Sequence, residues 1–142
     1  MSQKKDDKKK LIFSLKNFKI IEYNSKIPKN PPHEFGYDIN FEIKYRKKNK
    51  EFIVIINVVA RKSKKSNYKY IDTTTETIVD IKNADEFKIV PLNFSAKMVS
   101  SAFSTTRGVI IGKNENNFLS KVPLPFLDLE EMKKILIDQN NK

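Results

Sequence analysis

Residues Ala102–Met132 read A-F-S-T-T-R-G-V-I-I-G-K-N-E-N-N-F-L-S-K-V-P-L-P-F-L-D-L-E-E-M. The segment opens as a helix carrying the pair Arg107–Gly108, breaks at Gly112, runs on as an apolar stretch with two prolines, and restarts at Asp128 as a second helix. Connecting segments lie on the surface and are usually polar, because their backbone must reach water. A loop holding Phe118, Leu119, Val122, Leu124, Phe126 and Leu127 therefore needs a cover. That cover is the protein's own core, a subunit contact or a bound extended polypeptide, and the residues leave the three open.

Upstream of the loop, Leu92, Ala96, Val99, Phe103, Thr106 and Ile110 recur at spacings of three and four. The spacing predicts a helix from about Leu92 to Ile111 with one apolar face. At 1.5 Å per residue it is a rod of ~30 Å, enough to cross a four-stranded sheet. Asn93 and Ser95 offer capping oxygens near its start. Gly108 inside it costs ~1 kcal/mol against alanine, which implies close packing there, and Gly112 is the expected stop. Downstream, Asp128 is placed to cap a short helix, Leu129–Gln139, with Leu129, Met132, Ile135 and Leu136 on one face.

Further upstream the period changes from 3.6 to 2. From Glu34 to Lys48, Phe35, Tyr37, Ile39, Phe41, Ile43 and Tyr45 alternate with polar residues, which reads as a strand with one buried and one wet face. Phe52–Ala60 is apolar on both faces and reads as a central strand. Tyr68–Ile81 places Ile71, Thr73, Thr75, Thr77, Val79 and Ile81 on one side. From Leu11 to Tyr23 the alternation slips phase twice, after Leu15 and after Ile20, as a bulged strand requires. Pro28, Pro31 and Pro32 make residues 25–32 a loop. The expectation is an α+β fold: a four-stranded antiparallel β-meander packed by a long helix and a short C-terminal helix.

At 142 residues the chain is expected to form one domain over residues 11–142, with residues 1–10 (M-S-Q-K-K-D-D-K-K-K) as a disordered basic tail. There is no cysteine, which excludes disulfides and thiolate sites and fits a reducing compartment. No apolar run approaches the ~20 residues of a bilayer span, so the expectation is a cytoplasmic protein without membrane insertion. The net charge of +11 is carried mostly by lysine.

The residues also exclude most chemistry. The single histidine, His33, follows two prolines in a loop and has no cysteine to join it in a zinc site. Three glycines in all leave no phosphate-binding fingerprint. Glu130 and Glu131 are adjacent on a helix and point apart. No enzyme, metal or cofactor is expected, and a binding protein is. Two features can bind: the apolar loop, and two basic turns, 44–50 and 61–69, whose Lys47, Lys48, Lys62, Lys64 and Lys65 offer a nucleic-acid-binding alternative. Lysine-rich turns equally guard sheet edges against association.

Taken together, the strand order, the helix ending in Ser104-Thr105-Thr106-Arg107-Gly108, the apolar crossover loop and the run Leu124-Pro125-Phe126-Leu127-Asp128-Leu129 resemble the SecB export-chaperone family and its SecB-like relatives. The resemblance implies an ATP-independent holdase for unfolded or pre-secretory polypeptides, assembled as a tetramer of two dimers, with the SecA motor as partner. It also admits a SecB-like chaperone dedicated to a toxin–antitoxin pair. It implies Phe118, Leu119, Val122, Leu124 and Phe126 as peptide-binding residues, and Val99, Phe103, Arg107 and Gly108 as structural or interface residues. The chain departs from the well-known members in charge, since they are acidic and present carboxylates to SecA.

Overall fold

The computed structural model describes residues 10–63, 65–120 and 129–140. The expected tail at residues 1–9, Lys64, the crossover segment 121–128 with Val122, Leu124, Phe126 and the Asp128 cap, and residues 141–142 lie outside the described residues.

Four strands, β1 (Phe13–Ser25), β2 (Gly36–Arg46), β3 (Glu51–Arg61) and β4 (Lys69–Ile81), form one antiparallel sheet in the order β1-β4-β3-β2. Only β2, β3 and β4 follow one another as a meander, so the expected four-strand meander is corrected at its first connection. The reason is reach. Residues 26–35 hold three prolines and cannot close a tight hairpin. Instead the segment crosses the end of the sheet, a distance of three strand spacings or ~14 Å, and leaves β1 to pair with β4.

The expected phase slips in β1 are present as irregularities in its pairing with β4, between Leu15 and Asn17 and between Ile20 and Glu22. By contrast, β2 pairs with β3 residue for residue from Gly36↔Arg61 to Arg46↔Glu51. β3 is internal and buries Phe52, Ile53, Val54, Ile56, Val58, Val59 and Ala60, as its two-faced apolar pattern requires.

The long helix, α1 (Leu92–Lys113), lies against the inner face and buries Phe94, Ala96, Val99, Ala102, Phe103, Thr106 and Ile110. Its face is thus rotated slightly from the expected one, with Phe94 buried and Leu92 left at the exposed rim. The helix starts after Pro91 with no side-chain cap, so Asn93 and Ser95 sit inside the first turn rather than capping it. One polar contact crosses the core: the Thr75 and Thr106 hydroxyls, both fully buried, share a 2.7 Å hydrogen bond. Because an unpaired buried hydroxyl is costly, this pair fixes how α1 sits over β4. The short helix, α2 (Leu129–Asn140), packs on α1 through Met132 and Leu136.

Two expectations about α1 change. Gly108 is exposed, and a Cβ built there meets nothing within 4 Å, so close packing inside this chain does not explain it. Nor does Gly112 end the helix; Asn114 does, donating from its side chain to the Ile110 carbonyl at 2.7 Å and from its backbone to Ile111 at 3.2 Å.

Candidate peptide-binding surface

At one end of the sheet the topology gathers the last residues of β1 and β3, the first of β2 and β4, and the C-terminal end of α1. Phe35 arrives on the proline loop, Tyr37 on β2, Tyr70 on β4, and Phe118 on a single 3₁₀ turn, Phe118–Ser120, that follows α1. Their rings meet edge to face: Phe35–Phe118 at 5.0 Å, Tyr70–Phe118 at 5.3 Å, Phe35–Tyr37 at 5.4 Å and Phe35–Tyr70 at 6.3 Å. Each such pair is worth ~0.5–1.5 kcal/mol beyond the area it buries, so the cluster is a stiff apolar wall. Phe118, Phe35 and Tyr37 remain half-buried, whereas Tyr70 is buried. Beside the wall runs a cleft of about 380 Å³ lined by Ile27, Pro28, Lys29, Pro31, Asn117 and Phe118.

Burial pushes the Tyr37 phenol up to about 12, with the Tyr23 phenol adding to the effect. Burial also raises Tyr23, partly offset by the hydrogen bond that Asn114 donates to its oxygen. Both rings therefore stay uncharged at neutral pH, and the wall presents π faces and hydroxyls rather than anions. Among the described residues no group of three or more His, Cys, Asp or Glu is placed to hold a metal ion.

The residues expected at this site divide. Phe118 stands in the wall with one side open. Leu119, expected on the client surface, is instead fully buried with the core cluster and anchors the turn from beneath, which corrects that expectation. Val122, Leu124 and Phe126 lie outside the described residues. Val99 and Phe103 are buried beneath the sheet, a structural placement. Arg107 is half-buried and Gly108 exposed on α1. Of the wall's other members, Phe35 and Tyr37 were readable in sequence only as strand residues of a buried face, and Tyr70 only as a strand residue off the Ile71–Ile81 face.

The basic turns do not come together. Residues 47–50 sit where β2 meets Glu51, and residues 62–68 sit at the other end of β3, eleven residues or ~37 Å away. Between them the sheet's outer face carries carboxylates held by cations: Lys16–Glu51, Lys19–Glu76, Lys44–Glu42, Arg61–Asp38 and Lys69–Asp72. A nucleic-acid strand joining the two turns would cross those carboxylates. Tyr45 is committed to the fold, donating to the Ala84 and Phe87 carbonyls.

Elsewhere, β1 is an edge strand with apolar side chains left in water. Ile12, Phe13, Leu15, Ile20 and Ile21 are 38–65% exposed. A shallow groove of about 170 Å³ separates Phe13, Leu15 and Phe18 from Met98, Ala102 and Thr105 of α1.

No protein-family model matches the chain, and no curated protein matches it in sequence. Among solved structures it is similar to a SecB-like chaperone of Mycobacterium tuberculosis, determined in complex with a ChAD peptide from an antitoxin. The two share 12% identity over 82% of this chain and 90% of that one, with a TM-score of 0.59. The fold is therefore SecB-like: a four-stranded antiparallel sheet, a long helix and a short C-terminal helix.

Proposed function

We propose that the chain is a polypeptide-binding chaperone, an ATP-independent holdase acting in the cytoplasm. The observation that carries the reading is the half-open aromatic wall of Phe35, Tyr37 and Phe118 beside a proline-lined cleft. Such a wall takes apolar side chains of an unfolded segment, and a native protein keeps those side chains inside. Holding requires no chemistry, only preference for the unfolded chain. Phe118 is the half-buried contact and Leu119 its anchor; Val122, Leu124 and Phe126 are proposed as further apolar contacts.

The exposed residues of β1 serve self-association, because an unpaired strand edge with apolar side chains is a template for another copy. A tetramer would weigh four times 16.6 kDa. Charge balance on the outer face speaks against handover to a SecA-type motor, since those carboxylates are already paired with lysine or arginine. The antitoxin peptide in the similar structure favours a dedicated client, a segment of an antitoxin, over general export.

The test is suppression of aggregation of a refolding client, followed by light scattering, with wild type and Phe118→Asp. Wild type should suppress and the variant should not, with circular dichroism unchanged. A wild-type chain that leaves aggregation untouched would overturn the reading. For the assembly, Leu15→Asp with Ile21→Asp should reduce the mass in solution to 16.6 kDa.

A further inference from the structure

The turn that presents Phe118 is a single 3₁₀ turn, too short to hold itself. Its support comes from a line of side-chain amides. Asn114 is 3% exposed, and its amide gives both hydrogens and accepts one. Its Nδ2 donates one hydrogen to the Tyr23 hydroxyl at 2.7 Å and the other to the Ile110 carbonyl at 2.7 Å, and its Oδ1 accepts from Asn117 Nδ2 at 2.8 Å. Asn117 passes the arrangement on: its Oδ1 accepts the Leu119 backbone N–H at 2.9 Å. The Ser120 hydroxyl closes the turn on the Asn117 carbonyl at 3.0 Å.

Side-chain chemistry at this spot is narrowly specified. A group of this length that gives two hydrogens and takes one is an amide; aspartate has no hydrogen to give, and leucine has neither function. The other end of the line is equally fixed. Tyr23 belongs to β1, and the Lys113 ammonium stands 5.1 Å over its ring. Thus the hydroxyl is held by Asn114, the ring face by the neighbouring residue of the same helix end, and the strand by β4.

We infer that Tyr23, Asn114 and Asn117 are positioning residues of the peptide-binding surface, an amide relay that sets the turn presenting Phe118 and ties it to the edge strand β1. The inference rests on the peptide-binding reading. It gives Tyr23, Asn117 and the outward-reaching bonds of Asn114 a role beyond the helix stop, which Asn114 makes with the Ile110 and Ile111 carbonyls alone, while Leu119 already has its buried seat. What the relay adds is the direction in which Phe118 faces Phe35 and Tyr70. Coupling follows from the same geometry, because whatever moves β1 at Tyr23 reaches Phe118 through three hydrogen bonds, and a ligand on Phe118 acts back on β1 by the reciprocity of linked equilibria.

The experiment is a double-mutant cycle on the full chain, read as the affinity for a fluorescein-labelled synthetic peptide rich in leucine and phenylalanine. Tyr23→Phe should weaken binding about fivefold, what the loss of one ordinary hydrogen bond costs, and Asn117→Ala, which gives up two, should weaken it at least as much. In a Phe118→Leu background the same changes should cost nothing further, since the relay acts through that ring. Equal losses in both backgrounds, the mark of a general effect on stability, would overturn the inference, as would binding unchanged within twofold. Tyr23→Phe removes one oxygen atom and keeps the test available if Asn117→Ala fails to fold. A wild-type chain that does not bind the peptide removes the peptide-binding reading and the inference with it. A chain that binds, binds measurably more weakly on Phe118→Leu and loses nothing on Tyr23→Phe removes the inference alone.

Discussion

Among the described residues two aromatic clusters stand one at each end of α1, and they differ in how far they close. At the helix start Phe94 is buried against Phe52 at 5.3 Å, with Phe52 1% exposed, and Phe13, 5.0 Å away on the edge strand, is the one ring of that cluster left open. Nearby, Tyr45 closes the β2 end by bonding two carbonyls of the segment that leads into the helix. At the helix end, Phe35, Tyr37 and Phe118 form the same edge-to-face contacts but stay half-buried, because Phe35 and Phe118 come on a proline loop and a lone turn and Tyr37 from the edge strand β2. The chemistry is alike at both ends, and the covering elements decide which end becomes core and which remains a surface able to bind.

That contrast can be broken in graded ways. Phe52→Ala at the closed end should have the largest effect, costing about 3–5 kcal/mol of stability in chemical denaturation, as large-to-small changes in a packed core do. Removing Phe118 at the open end by Phe118→Ala should cost less stability, ~1–3 kcal/mol for the two ring contacts it gives up, yet abolish peptide binding in an anisotropy titration. If the two losses of stability were equal, the open end would be core as well. Tyr45→Phe should cost ~0.5–1.5 kcal/mol for its hydroxyl and leave peptide affinity unchanged.

The last effect is alkaline and is absent at neutral pH. Burial raises the Tyr37 pKa from 10.0 to about 12, so the folded state keeps its proton where the unfolded state loses it. Stability from this residue is complete below pH 10 and is lost as pH rises toward 12. The denaturation midpoint of wild type should fall more steeply over that window than that of Tyr37→Phe. Parallel slopes would mean that Tyr37 is as open to water as an unfolded tyrosine.

Much of this was legible in the residues, for local reasons. The period of two in residues 35–45 and the slips after Leu15 and Ile20 are properties of one strand, and the structure returns both. So is the Thr-rich face of β4, whose Thr73 and Thr75 are fully buried. Strand order was not legible, because pairing Phe13 with Ile81 is a statement about residues far apart in sequence. The helix stop was misplaced for a related reason. Glycine is the commoner terminator, but Asn114 stops α1 with a side chain whose partners, Tyr23 and Asn117, come from outside the helix. At the candidate site, Phe118 stood out as an apolar residue in a loop, whereas Phe35 and Tyr70 looked like ordinary strand residues until the fold set them against it.

The placement of β1 beyond β4 also has a temporal side. Phe13 is matched with Ile81, and Ser25 with Ile71, so the first strand to be made has no partner until roughly the first half of the chain exists. At ~5–20 residues per second, β1 waits on the order of seconds at the ribosome, with its apolar residues uncovered. Contacts this distant in sequence also slow the closing of the sheet once the chain is free. A protein proposed to shelter the unfolded segments of others thus exposes one of its own during every round of synthesis.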